Sequence, residues 1–222
     1  MTRMAMRLPA EQRRRQLLDV SCEVFATGGF HATSMDDIAA AAGVTKPVLY
    51  QHFPSKRALF VELLADVGRQ LLDELAVATG RATTGRERVE EGFSAYFRFV
   101  INNRAAFRLV FGASARNDPE FARVVDAVLH DAAEAISELI EIEATAEHRR
   151  VLAHSLVGIA EATSRHALTD PEASHDPDEL AAWISELTWF GLRGIRPEDR
   201  DDDGSESGAI RPVSDPSEAT GS

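Results

Sequence analysis

Apolar residues recur every three to four positions along most of the chain, and no strand-length run alternates apolar with polar between turns. The first stripe follows Pro9 and carries Leu17, Ser21, Val24 and Phe25 on its inner side, until Gly28-Gly29 ends it. A second, shorter one sets Met35, Ile38, Ala39 and Ala42 on one face. Ser34 stands at its start as a cap, with Asp37 three residues on as a shortened capping-box acid. Gly43 follows, where a left-handed backbone is needed. Thr45 is placed to cap a third helix, and Pro47 falls in its first turn, where a missing N–H costs little. Val48, Leu49 and Phe53 form that helix's apolar side. A fourth helix opens after Ser55 and continues for about six or seven turns through Leu63, Leu64, Val67, Leu71 and Leu75.

The remainder repeats the helical period without any internal repeat of sequence. Thr84 and Glu87 match a capping box for a fifth helix bearing Val89, Phe93, Tyr96, Phe97 and Val100, which Asn102-Asn103 interrupts. A short sixth carries Phe107, Leu109, Val110 and Phe111. Asp118-Pro119 starts a seventh with Phe121, Val124, Val125, Val128, Ile136 and Leu139. Thr145 opens an eighth, and Asp176-Pro177 a ninth that runs through Leu180, Ile184, Leu187 and Phe190 to end near Gly194. The stretch 169–177 between the last two reads as a loop. Residues 196–222, rich in Asp, Ser, Gly and Pro, read as a disordered acidic tail. The expected fold is all-α.

Helix, glycine turn, helix over Thr33–Lys56 is the pattern of a helix-turn-helix, whose second helix is shaped for the DNA major groove. Thr45 and Lys46 stand where side chains reach base edges, and Pro47 with the Thr45 methyl can meet thymine methyls. Tyr50, His52 and Lys56 offer donors to phosphate, as do Thr33 and Ser34 at the start of the preceding helix. An ordinary helical hairpin with a solvated polar face gives the same local pattern.

Residues 10–60 resemble the DNA-binding domain of the TetR family of transcriptional regulators. The matching pieces are AEQRRRQLLDVSCEVFATGGF, TSMDDIAAAAGVTKPVLYQHF and PSKRALF, with Leu49, Tyr50, Phe53, Lys56 and Leu59 standing in the family's LYxxFxxKxxL pattern. The resemblance implies DNA contacts from Thr45, Lys46, Pro47, Tyr50, His52 and Lys56, with Thr33 near phosphate. Pro47 departs from it, since a small residue is commoner there. The implied organisation is a basic arm (1–9), a three-helix DNA-binding domain (10–56), and a helical ligand-binding and dimerisation domain (57–195) entered by the long fourth helix. The tail (196–222) follows.

Charge changes the picture in the same direction. The chain carries −12 overall, yet residues 1–60 hold eight Lys and Arg against five acids, +3, leaving −15 for the rest. A basic head on an acidic body suits a DNA reader whose other half does something else. The one cysteine, Cys22, excludes an internal disulfide and lies among apolar residues, as a packed thiol would. No apolar run of about 18 residues and no apolar signal core occur, so a cytoplasmic protein with no membrane partner is expected.

Three roles compete for the body. Phe93, Phe97, Phe107, Phe111 and Phe121 concentrate where a pocket would lie, in a chain only 7% aromatic, with Leu152 and Leu156 beside them. Core filling explains any one of them; the family resemblance implies a pocket in this region for an apolar effector. The segments FRLVFGASARNDPEF and LAHSLVGIAEATSRHAL resemble fatty-acid-responsive members, which implies a long-chain fatty acyl group or acyl-CoA as effector. Dimerisation is the second role: Ser155, Gly158, Ala160, Ala162, Ala181 and Ala182 permit close helix approach, and Trp183, Trp189 and Phe190 add apolar area. Catalysis is the third and has least support. The only Glu-x-x-His pair, Glu172 and His175, sits in the proline-flanked loop, and Glu161 and His166 are five apart. No metal site and no cofactor are expected, and His148, His154 and His166 read as surface or pocket-polar residues. The expectation is a homodimeric, ligand-responsive DNA-binding regulator on a palindromic operator. The runner-up is an all-α protein-interaction module whose DNA head is non-functional.

Overall fold

Side chains written into the sequence as caps set where most helices begin. The computed structural model describes residues 9–169 and 175–193. They form α1 (Ala10–Ala32), α2 (Met35–Ala41), α3 (Lys46–His52), α4 (Lys56–Thr79), α5 (Gly85–Asn102), α6 (Arg104–Val110), α7 (Ala113–Asn117), α8 (Pro119–Leu139), α9 (Ala146–Thr169) and α10 (Pro177–Arg193). The expected arm up to residue 8, residues 170–174 with Glu172, and everything from 194, including the tail, lie outside the described residues.

Ser34 and Asp37 make the reciprocal box at α2, as Thr84 and Glu87 do at α5. Ser55 accepts from the Ala58 N–H to start α4, and Asp118 accepts from the N–H groups of Glu120 and Phe121 to start α8. Thr45 occupies the N-cap of α3 with extended backbone, but its hydroxyl makes no cap bond. α1 leaves helical geometry at Gly29 (φ +74°), a conformation open to glycine alone, then turns once more to Ala32. Nine helices are expected from periodicity. The tenth is α7, five residues long and too short to show a period.

α1, α2 and α3 form a head closed by Leu17, Phe25, Ile38, Leu49 and Phe53, all at most 1% exposed. The same core continues without a break through Phe60 of α4 into Phe99, Phe107 and Phe121 of the body. Phe121 joins the two halves: its ring centroid lies 4.9 Å from Phe30 and 4.7 Å from Phe60. Arg57, two residues into α4, stacks on Phe121 and donates two 2.7 Å hydrogen bonds to Asp118, while its Nε donates to Glu120. In the body α4 packs on α5 and α8, α5 on α10, and α8 on α9. At the α4–α8 crossing Gly68 lets Val128 approach so closely that a Cβ there would lie 2.4 Å from a valine methyl.

Candidate nucleic-acid interface and cavity

The head is held by two cations that the sequence assigns no structural task. Arg14 of α1 pairs with Glu62 of α4, stacks 4.5 Å from the Phe53 ring, and donates 2.7 Å to the carbonyl of His52 in the last turn of α3. Lys56 reaches back to α1, donating to the carbonyls of Phe30 and Thr33 at 2.7 Å and of His31 at 3.3 Å, above the Phe30 ring. Both satisfy carbonyls that a helix end leaves without donors. The expected phosphate contact at Lys56 is therefore replaced by a fold-holding one. Its partners lie 23 to 26 residues away, beyond any local sequence signal.

Thr33 likewise turns inward, 4% exposed, and its N–H is bonded to the Gly29 carbonyl. Ser34 remains exposed, but its hydroxyl donates to Asp37 at 2.6 Å, and these bonds hold the Asp37 carboxyl below its usual range. What remains on the outer side of the head is α3. Thr45, Lys46, Pro47 and Tyr50 are exposed and His52 is half-buried, while Leu49 faces in. Gln51 is exposed beside them, a polar side chain the motif reading passed over. Lys46 bonds Asp36 of α2 at 2.9 Å, which raises its pKa; the pair is open to solvent, so the ammonium is free to exchange one anion for another. A helix start with an uncommitted Thr45 hydroxyl, an exposed cation and a 43%-exposed Tyr50 can meet a duplex groove and its phosphates.

In the body a cavity of about 930 Å³ opens between α4, α5 and α8. Along α4 it follows Leu64, Val67, Leu71, Leu75 and Thr79, one face of the helix. Of the residues named from sequence, Phe93, Phe107, Phe111 and Leu156 line it. Phe97, Phe121 and Leu152 do not: Phe97 is enclosed by Phe93 and Tyr96, and Phe121 belongs to the head–body junction. Tyr96 lines the inner wall with its hydroxyl 3.3 Å from Ser164, and burial drives its pKa upward. Arg88 lines the far end and donates 2.6 Å to Glu141. Val125, Val128, Leu129 and Ile136 of α8 supply the opposite wall.

Elsewhere the residues are quieter. Burial pushes the Cys22 thiol up to about 11, which suits a packed thiol. The His130 and His154 rings stack at 6.1 Å, and His166 lies 5.9 Å from His175. No group of three or more candidate metal ligands and no helix long and apolar enough to cross a membrane occurs among the described residues.

Comparison with known proteins decides the family. Residues 17–63 match the model for bacterial regulatory proteins of the tetR family, and residues 85–191 match a tetracyclin repressor-like C-terminal domain. The HTH-type transcriptional activator FasR of Mycolicibacterium smegmatis is 34% identical over 191 residues, covering 85% of this chain and 87% of FasR. The chain belongs to the TetR family. This TetR-type regulator also shares its fold with a TetR-like transcriptional regulator from Rhodococcus sp. RHA1 (30% identity, TM-score 0.68, covering 85% and 100% of the two chains). The regulator FadR of Bacillus subtilis, solved in complex with stearoyl-CoA, superposes with a TM-score of 0.68 at 18% identity, over 82% of this chain and 99% of FadR. The TetR assignment makes this chain a DNA-binding transcriptional regulator, and its relatives are regulators rather than enzymes.

Proposed function

We propose that the protein binds a palindromic operator as a homodimer in the cytoplasm, and that a long-chain fatty acyl group, free or as acyl-CoA, controls it. The division into a DNA-binding domain (10–56) and a ligand-binding and dimerisation domain (57–195) is part of the same reading. Thr45, Lys46, Pro47, Tyr50 and His52, with Gln51, form the DNA-facing row; Ser34 flanks it, and Thr33 and Lys56 position it.

One observation carries the effector class: the cavity is long and apolar. Its wall runs along α4 from Leu64 to Thr79, about 22 Å at 1.5 Å per residue. A hydrocarbon chain advances about 1.25 Å per bond, given bonds of about 1.5 Å at near-tetrahedral angles, so the wall matches roughly eighteen carbons. The stearoyl-CoA bound to FadR of Bacillus subtilis agrees in direction.

The dimer reading rests on α10. Trp183, Leu187 and Phe190 are 58%, 62% and 61% exposed on one side of the helix, a patch that a second copy would cover. Two heads must then fit successive grooves about 34 Å apart, so a small displacement of α4 by the effector changes affinity for DNA. Coupling of about 1–3 kcal/mol is the ordinary allosteric range and must act in both directions.

The test is an operator titration against salt with Lys46→Ala and Tyr50→Ala, with and without long-chain lipids. Both variants should fold normally and bind more weakly, and Lys46→Ala should lower the salt slope by about 0.9. Wild-type affinity in both variants would defeat the DNA-facing assignment. Mass spectrometry of small molecules retained by the native protein tests the effector class directly.

A further inference from the structure

We infer that Arg88 seats the effector's head group, that this head is a single carboxylate rather than a coenzyme A ester, and that Glu141 holds its place in the empty protein. The inference rests on the acyl-effector reading and deepens it. The cavity has two unlike ends. Toward the head it closes on Leu64, Phe107 and Phe111; at the other end α4 stops at Thr79, α5 begins, and the α8–α9 connection passes over. Arg88 stands at that second end and is the one cation among the described residues lining the cavity.

The Arg88–Glu141 pair is lopsided. The Arg88 side chain is 22% exposed and the Glu141 side chain 66%. Only Nη1 is used, on Oε1, so the remainder of the guanidinium fork makes no hydrogen bond among the described residues. Glu141 can return to water at little loss, whereas Arg88 left alone would be a poorly hydrated cation. A ligand carboxylate meets both conditions: it replaces Glu141 one charge for one, and it can take the fork at two points. With its head there, an extended chain lies along α4 toward Phe107 and Phe111.

The other lining charges argue against a polyanionic head. Asp73, Asp131 and Glu138 border the same opening and have no ion-pair partner among the described residues. Four carboxylates and one guanidinium line the cavity, a field that repels the several phosphate charges of coenzyme A and tolerates a monoanion paired with Arg88.

The experiment measures displacement of a fluorescent fatty acid from the full-length protein by palmitate, methyl palmitate and palmitoyl-CoA, in wild type, Arg88→Met and Glu141→Ala. Palmitate should bind about tenfold tighter than either ester, the scale of one charge-assisted hydrogen bond pair. Arg88→Met should abolish that advantage and leave methyl palmitate unchanged. Glu141→Ala should tighten palmitate severalfold and also leave the methyl ester unchanged. Palmitoyl-CoA binding tightest, or Arg88→Met weakening acid and methyl ester equally, overturns the inference while the acyl pocket stands. Failure of all three probes to bind overturns the pocket reading itself.

Discussion

Lys56→Met separates two accounts of one residue. By motif, Lys56 is a phosphate contact; in the structure its ammonium holds the end of α1 to the start of α4. Two carbonyls at 2.7 Å and a third at 3.3 Å accept from it, and the Phe30 ring centroid lies 4.6 Å away. Hydrogen bonds with a charged partner contribute about 1.5–3 kcal/mol each. Lys56 is only half-buried, so water recovers part of that on its loss, and methionine retains the apolar stem. The net cost should be about 2–4 kcal/mol, set by two good bonds discounted for solvent. Urea denaturation should show an earlier midpoint with an unchanged slope, the mark of lost stability in an otherwise similar fold. Operator affinity at temperatures where both proteins are folded should keep its salt dependence. The reasoning fails if stability stays within about 0.5 kcal/mol of wild type, the range of inconsequential surface changes. It fails equally if the salt slope drops by about 0.9, the signature of one lost phosphate contact.

Gly68→Ala would set a methyl 2.4 and 2.7 Å from the two methyls of Val128, a stiff β-branched side chain, so α4 and α8 must part. A cost of about 1–3 kcal/mol is expected by thermal melting, restored by adding Val128→Ala; no rescue would mean the crossing is not the cause. The Cys22 thiol, raised from 9.0 to about 11 mainly by burial, should react with a disulfide reagent at neutral pH about a hundredfold more slowly than in unfolded protein. Equal rates would place the thiol in solvent. The Asp118 carboxyl is held below its usual 3.8, first by hydrogen bonding from Arg57. Its contribution is then complete above the ordinary carboxylate value and is lost only as pH falls through the lowered folded one. A carbon-13 titration of the Asp118 carboxyl at or above 3.8 would contradict this, and Asp118→Asn should remove the acid-side loosening of the α8 start.

Local chemistry was the readable part of this chain. Ser34 with Asp37, Ser55, Thr84 with Glu87, and Asp118 each act within four residues, and all of them cap the helices expected of them. Thr45 shows the limit: its backbone is that of a cap, but its hydroxyl stays unbonded, which sequence spacing cannot distinguish. The fold-holding roles of Arg14 and Lys56 are not legible there because their carbonyl partners lie across the fold. Periodicity marks which side of a helix is buried, not whether that side meets atoms or open space. Hence Phe93, Phe107 and Phe111 border the cavity while the equally apolar Phe97 and Phe121 do not. Arg88 carries no sequence signal, since its place at the cavity depends on which helix ends converge around it.

The cavity's exposed lining residues fall at Asp73, Ala76 and Gly80 of the α4 side and at Asp131, Ala135, Glu138, Leu139 and Glu141 opposite, in the half turned away from α3. α4 is 24 residues long, about 36 Å, which sets that doorway well clear of any duplex under the head. In the proposed acyl-controlled regulator, a lipid would thus load onto protein already seated on its operator. The pace of the genetic response would then follow lipid arrival and release, without waiting for spontaneous departure from the chromosome.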